Sequence, residues 1–153
     1  MNEQLINLLV TIISGVVVFV VCQLFAELIL RPIQEYKKLK CKVAKSLVLY
    51  ARYYSNPQTL GKGGEYSAWA CASDQMRDLA AEVAGFAEIK PWQIFVFYAI
   101  PNKQELNEAY HYLIGLSNSF FKDNTSEESC YDRVSDYPDI IKKHMGITQR
   151  RKK

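Results

Sequence analysis

The chain is poor in the residues that most often carry chemistry. Its 153 positions hold two histidines, His111 and His144, and four scattered cysteines, Cys22, Cys41, Cys71 and Cys130. Neither histidine has a second His, Cys or carboxylate at metal-ligand spacing, which argues against a zinc site. The cysteines lack paired spacing and are expected to be plain thiols, neither bridged nor metal-bound. There is no nucleophile elbow, no dinucleotide fingerprint, and no Ser or Cys beside a His. The run Gly61-Lys62-Gly63-Gly64 lacks the Walker A spacing of a phosphate loop. Glu127-Glu128 sits in a polar segment with nothing to raise a carboxylate pKa. The expectation is a non-enzyme with no cofactor, no metal and no catalytic residue.

Charge is absent from residues 4–26, a run of 23 positions. As a helix this run spans about 34 Å, enough to cross a hydrocarbon core with some tilt. No basic side chain precedes it, whereas Arg31, Lys37, Lys38, Lys40, Lys42 and Lys45 follow. Lys and Arg are retained on the cytoplasmic side, so the pattern predicts a single span with the N-terminus outside. The start Met-Asn-Glu and the unbroken continuation through Cys22-Gln23-Leu24-Phe25 favour an uncleaved anchor over a signal peptide.

The expected fold is all-α: a transmembrane anchor at 4–30, one cytosolic helical domain at 31–149, and a basic tail at 150–153. About 120 residues after the anchor suffice to bury one core. The formal net charge of +3 is unevenly spread. Residues 31–52 hold seven basic side chains and one acid, residues 53–149 eight and thirteen, and Arg150, Arg151, Lys152 and Lys153 are all basic. The first belt faces lipid headgroups by position, and the tail is either a solvated end or a set of contacts for an anion.

Apolar residues at Tyr36, Leu39, Val43, Leu47, Tyr50 and Tyr54 alternate three and four apart and predict one amphipathic helix over 33–54. Pro32 predicts a kink where that helix meets the anchor. Asn56-Pro57 and the Gly-rich run mark a loop. A second helix is expected over 66–86, with Trp69, Ala72, Met76, Leu79, Ala80, Val83 and Phe86 on its core face. Pro91 and Pro101 bracket the apolar run 92–100, which reads as a helix in the bundle centre or on the membrane surface. A strand there would have no partner.

Asn102 and Glu105 form a capping-box pattern before the stripe Leu106, Ala109, Tyr110, Leu113, Leu116 and Phe120, so a third helix is predicted to run to about 121. Residues 122–130 read as a loop. A last helix is expected over 136–145, with Gly146 as its stop.

Within the membrane run, Asn7, Thr11, Ser14, Val18 and Cys22 fall within an arc of about 80° at 100° per residue. Such small and polar side chains prefer a partner helix or water to lipid, making this face an assembly surface or a channel lining. The plainer reading is that Thr11 and Ser14 bond carbonyls of their own helix and Asn7 lies near the outer interface. Gln23 and Glu27 project from the opposite side, with Arg31 placed four residues beyond Glu27 as an ion-pair partner.

The segments Leu30-Arg31-Pro32-Ile33-Gln34-Glu35-Tyr36, Tyr53-Tyr54-Ser55-Asn56-Pro57 and Ile114-Gly115-Leu116-Ser117-Asn118-Ser119 resemble a family of small bacterial membrane proteins. Its members have one N-terminal membrane helix and a helical cytosolic domain, and include the membrane effector of the Hailong anti-phage system. The resemblance spans most of the chain. It implies an inner-membrane homo-oligomeric channel in antiviral, abortive-infection defence, gated through the cytosolic domain. It further implies restraint by a paired nucleotidyltransferase-like enzyme and its DNA oligomer product. In that case Asn7, Thr11, Ser14 and Val18 face a common axis, and Arg150, Arg151, Lys152 and Lys153 are candidate anion contacts. The alternatives are a membrane-tethered interaction module without conduction and, third, a membrane-bound enzyme acting on a lipid or nucleotide.

Overall fold

The structure is a computed structural model that describes residues 2–55, 58–59, 66–88, 100–122 and 134–147. It is all-α apart from one two-residue pairing. Helix α1 (Asn2–Phe25) runs into a π-turn (Ala26–Leu30), then α2 (Arg31–Leu49) and the short α3 (Ala51–Ser55). Helices α4 (Tyr66–Glu88), α5 (Lys103–Asn118) and α6 (Tyr137–His144) complete the bundle. Strands β1 (Gln58–Thr59) and β2 (Phe121–Lys122) pair in parallel, Gln58 opposite Phe121 and Thr59 opposite Lys122.

Pro32 does not end the helix. It stands in the first turn of α2, and the distortion lies just before it, where the Arg31 N–H bonds back to the carbonyl of Ala26. A proline lacks the N–H that would reach the carbonyl four residues earlier, here Leu28, and its ring collides with that group. The wider π-turn takes the preceding carbonyls out of α register, so the chain continues as one helical span from Glu3 to Leu49.

The core is the meeting of three predicted stripes. Val43 and Leu47 of α2, Met76, Ala80 and Val83 of α4, and Leu106, Ala109, Leu113 and Leu116 of α5 are buried. Fully burying an aliphatic side chain contributes about 1.5–3 kcal/mol, so these faces outweigh modest helix propensities. The predicted helix over 33–54 is interrupted at Tyr50, whose backbone (φ −94°, ψ 8°) leaves helical geometry and starts α3. That turn packs Tyr53 edge-on against Trp69, with centroids 4.7 Å apart, and stacks it on Phe120. The Tyr54 hydroxyl folds back to donate to the carbonyl of Leu47. The third helix ends at Asn118, earlier than predicted, and Phe120 turns inward, fully buried.

Two caps follow their sequence signals. Asn102 and Glu105 exchange both bonds of a capping box at the start of α5. At the end of α6, Gly146 adopts φ 59°, its N–H bonds the carbonyl of Lys143, and the Ile147 N–H bonds that of Lys142. This is a Schellman stop, and only glycine enters that conformation without a Cβ penalty.

The run 92–100 lies outside the described residues except for Ile100, the loop 122–130 except for Lys122, and the tail 150–153 entirely.

Candidate functional site

Every side chain of α1 from Glu3 to Phe25 is exposed, including Leu9, Ile13, Val17, Phe19 and Phe25. A soluble domain does not leave so long a helix without an apolar partner, because each exposed aliphatic group forgoes its burial free energy. Its large apolar side chains are spread around most of the circumference rather than gathered into one stripe to bury against a bundle. It is the one helix among the described residues long and apolar enough to span a membrane.

The candidate face on α1 is partly settled by its own hydrogen bonds. The Thr11 hydroxyl donates to the carbonyl of Asn7 at 2.9 Å, and the Ser14 hydroxyl donates to the carbonyl of Thr11 at 2.9 Å. Each hydroxyl proton is therefore used within the helix, which makes these residues tolerable in hydrocarbon. Their oxygens keep acceptor capacity, and the amide of Asn7 has no partner of its own in the helix. Val18 is 62% exposed on the same face, beside the two hydroxyls. Asn7, Thr11, Ser14 and Val18 thus form a continuous small and polar strip along an otherwise aliphatic rod.

The junction below α1 is charged. Arg31 pairs with Glu27 at 2.8 Å and with Glu35 at 3.2 Å, one helical turn to each side. Hydrogen bonding to Glu27, then to Glu35, raises its pKa further above the ordinary arginine value. The ladder bridges the π-turn with side chains where the backbone pattern is irregular. The expected Glu27 partner is present, and Glu35 was the unforeseen third member.

Beyond the junction, contacts tie the last described helix to the start of α2. The Tyr36 phenol donates to the carbonyl of Met145 at 2.6 Å, and the ammonium of Lys40 donates to the carbonyl of Gly146. These carbonyls belong to the C-terminal cap of α6, so the last helix ends beside the first turns of α2. No local signal announces this pairing, since a tyrosine at a core position is equally compatible with plain packing. Burial drives the Tyr36 pKa well upward, with Glu105 adding to it.

The motif residues of the helical bundle are packing elements. A Cβ on Gly115 would stand 2.7 Å from Tyr137 Cε2, so the α5–α6 contact needs glycine there. Buried Ser73 donates to the carbonyl of Ser117 at 3.1 Å, joining α4 to α5. Trp69 Nε1 is buried with no hydrogen-bond partner among the described residues, beside the Arg52 guanidinium that lies over its ring. A small cleft of about 100 Å³ is lined by Tyr54, Ser55, Val134 and Ser135.

His111 is exposed beside Tyr110, and His144 stacks on Tyr112. Among the described residues no cluster of His, Cys, Asp and Glu is placed to hold a metal ion. Cys22, Cys41 and Cys71 are free thiols. The four candidate anion contacts Arg150, Arg151, Lys152 and Lys153 lie outside the described residues. In comparisons with protein families, with curated proteins and with solved structures, this chain finds no match.

Proposed function

We propose that the chain is a membrane-anchored subunit that assembles with copies of itself into a channel, with the cytosolic bundle holding and gating the assembly. The observation that carries this reading is the strip of Asn7, Thr11 and Ser14, with Val18 beside it, on a helix that has no partner elsewhere among the described residues. In hydrocarbon such a strip gains by facing another helix or water. A single helix encloses no lumen, so several copies would present the strip to a common axis. The basic belt after the helix orients the N-terminus outside and the bundle in the cytoplasm. The family resemblance supports a bacterial inner membrane and an effector role in anti-phage defence. On that reading the restraint is a nucleotidyltransferase-like partner and its DNA oligomer product.

A second reading rests on the Thr11 and Ser14 hydroxyls, whose protons are already bonded within α1. A helix so satisfied can serve as a plain anchor, and the chain is then a tethered module recruiting a cytosolic partner. Current recorded across planar bilayers holding the purified full chain separates the two. Discrete conductance steps support the channel, whereas inserted protein that leaves the baseline current unchanged supports the tether.

A further inference from the structure

Helices α2 and α4 run antiparallel. Tyr36 packs its ring on Phe86, Lys42 pairs with Glu82, and the Tyr50 hydroxyl donates to the side-chain carbonyl of Gln75, so each step along α2 is matched by a step back along α4. On the outer face of α2, Cys41, Lys45 and Val48 recur four and then three apart and are exposed; Val48, at 75%, is the most exposed large apolar side chain among the described residues. The outer face of α4 carries Asp74, Asp78, Ala81 and Gly85 at the same spacing, all exposed. Each set forms one ridge along its helix. A glycine inside a helix is destabilising relative to alanine, and beyond its own helix a Cβ on Gly85 would meet nothing within 4 Å. No described contact rewards that glycine, whereas a second helix approaching closely from outside would. Lys45, Asp74 and Asp78 make no ion pair among the described residues, while Glu82 is held by Lys42 and Arg77 reaches across to Asn118 of α5.

We propose that the α2 ridge of one copy of this chain packs on the α4 ridge of the next, a heterologous contact that repeats around a ring. The inference rests on the self-assembly reading above and supplies the bundle contact which that reading leaves open. The two ridges belong to different helices, so each copy grips one neighbour with α2 and offers α4 to the other, as a closed ring requires. Rotation about the membrane normal keeps every residue at its own height, and the antiparallel register then decides which groups meet. Lys45, three residues past Lys42, stands level with Leu79, three before Glu82, and so falls between Asp78 and Ala81 of the next copy. By the same count Cys41 falls between Ala81 and Gly85, where there is little side chain to displace, and Val48 lies over the stems of Asp74 and Asp78. Charge selects this pairing over the symmetric ones. At equal height α2 on α2 would set Lys45 beside Lys45, and α4 on α4 would set Asp78 beside Asp78. The exposed pair of Lys45 and Asp78 adds little affinity; it fixes register and partner face, while the close approach of the ridges provides the contact.

The test uses the full-length chain in detergent with its four cysteines replaced by alanine. Differently tagged Lys45→Cys and Asp78→Cys variants are expressed together, and each alone, then treated with a short bis-maleimide. The expected result is a covalent dimer joining the two variants, at least several-fold above either variant alone and above Glu35→Cys expressed with Asp78→Cys. Lys45→Glu should shift the assembled fraction at low loading several-fold towards single chains, and Asp78→Lys in the same chain should recover it, with helical content unchanged throughout. A particle of several chains whose paired variants cross-link no better than each variant alone overturns this contact and leaves self-assembly standing. Lys45→Cys cross-linking to itself as strongly as to Asp78→Cys makes the contact isologous and overturns it as well. A single chain mass with no cross-link overturns both readings.

Discussion

The Tyr36 phenol and the Met145 carbonyl, 109 positions apart, meet in a buried 2.6 Å hydrogen bond. The bond fastens the first turn after Pro32 to the cap of the last helix, so the start of α2 is held against the end of α6.

Alkaline stability reports on this bond. The folded-state pKa of Tyr36 is raised above its ordinary value of 10.0, chiefly by burial. The stabilisation is fully present below pH 10 and declines as the pH rises from there towards the folded pKa, by up to about 1.4 kcal/mol per pH unit. Tyr50 and Tyr54 shift in the same direction. Tyr36→Phe is expected to cost about 1 kcal/mol at neutral pH. Above pH 10 it should lose stability less steeply than the parent, without becoming flat. Thermal melts in detergent across that range supply the check, and parallel slopes would place the phenol in solvent.

Gly115→Ala places a methyl against the Tyr137 ring, where the closest approach is 2.7 Å. Overpacking of this kind costs about 1–3 kcal/mol. In the Tyr137→Leu background the same change should cost clearly less, because the ring it strikes is gone. A double-mutant cycle by denaturant unfolding measures the coupling, and additive costs would refute the contact.

Much of the bundle was legible because its signals are local and periodic. The stripes through Val43, Met76 and Leu113, the Asn102–Glu105 box and the Gly146 stop each follow from spacing within a few residues. The break at Tyr50 was not legible, since the stripe continues through it and only the long-range packing of Tyr53 on Trp69 and Phe120 rewards the turn. Pro32 signalled a disturbance, but the choice of a π-turn depends on accommodating the ring within a helix that continues on both sides. The polar strip on α1 was visible in the sequence. What the strip meets was not, because no described residue of the rest of the chain packs on it.

Ser14→Leu removes a hydroxyl and adds bulk on the strip, whereas Val16 and Val17 point elsewhere on α1. In cells overexpressing the chain, Ser14→Leu is expected to reduce depolarisation at least several-fold, and Val16→Leu or Val17→Leu to preserve it. Membrane abundance must match across the set. Equal depolarisation by Ser14→Leu in a normally assembled particle removes Ser14 from the lumen.

Self-assembly is the central claim, and the protein mass of the detergent-solubilised particle tests it most directly. Light scattering with the bound detergent subtracted should give a fixed integer multiple of the 17.6 kDa chain, sharply distributed and independent of loading concentration. A particle of one chain mass at every concentration would contradict the channel and leave α1 as a tether.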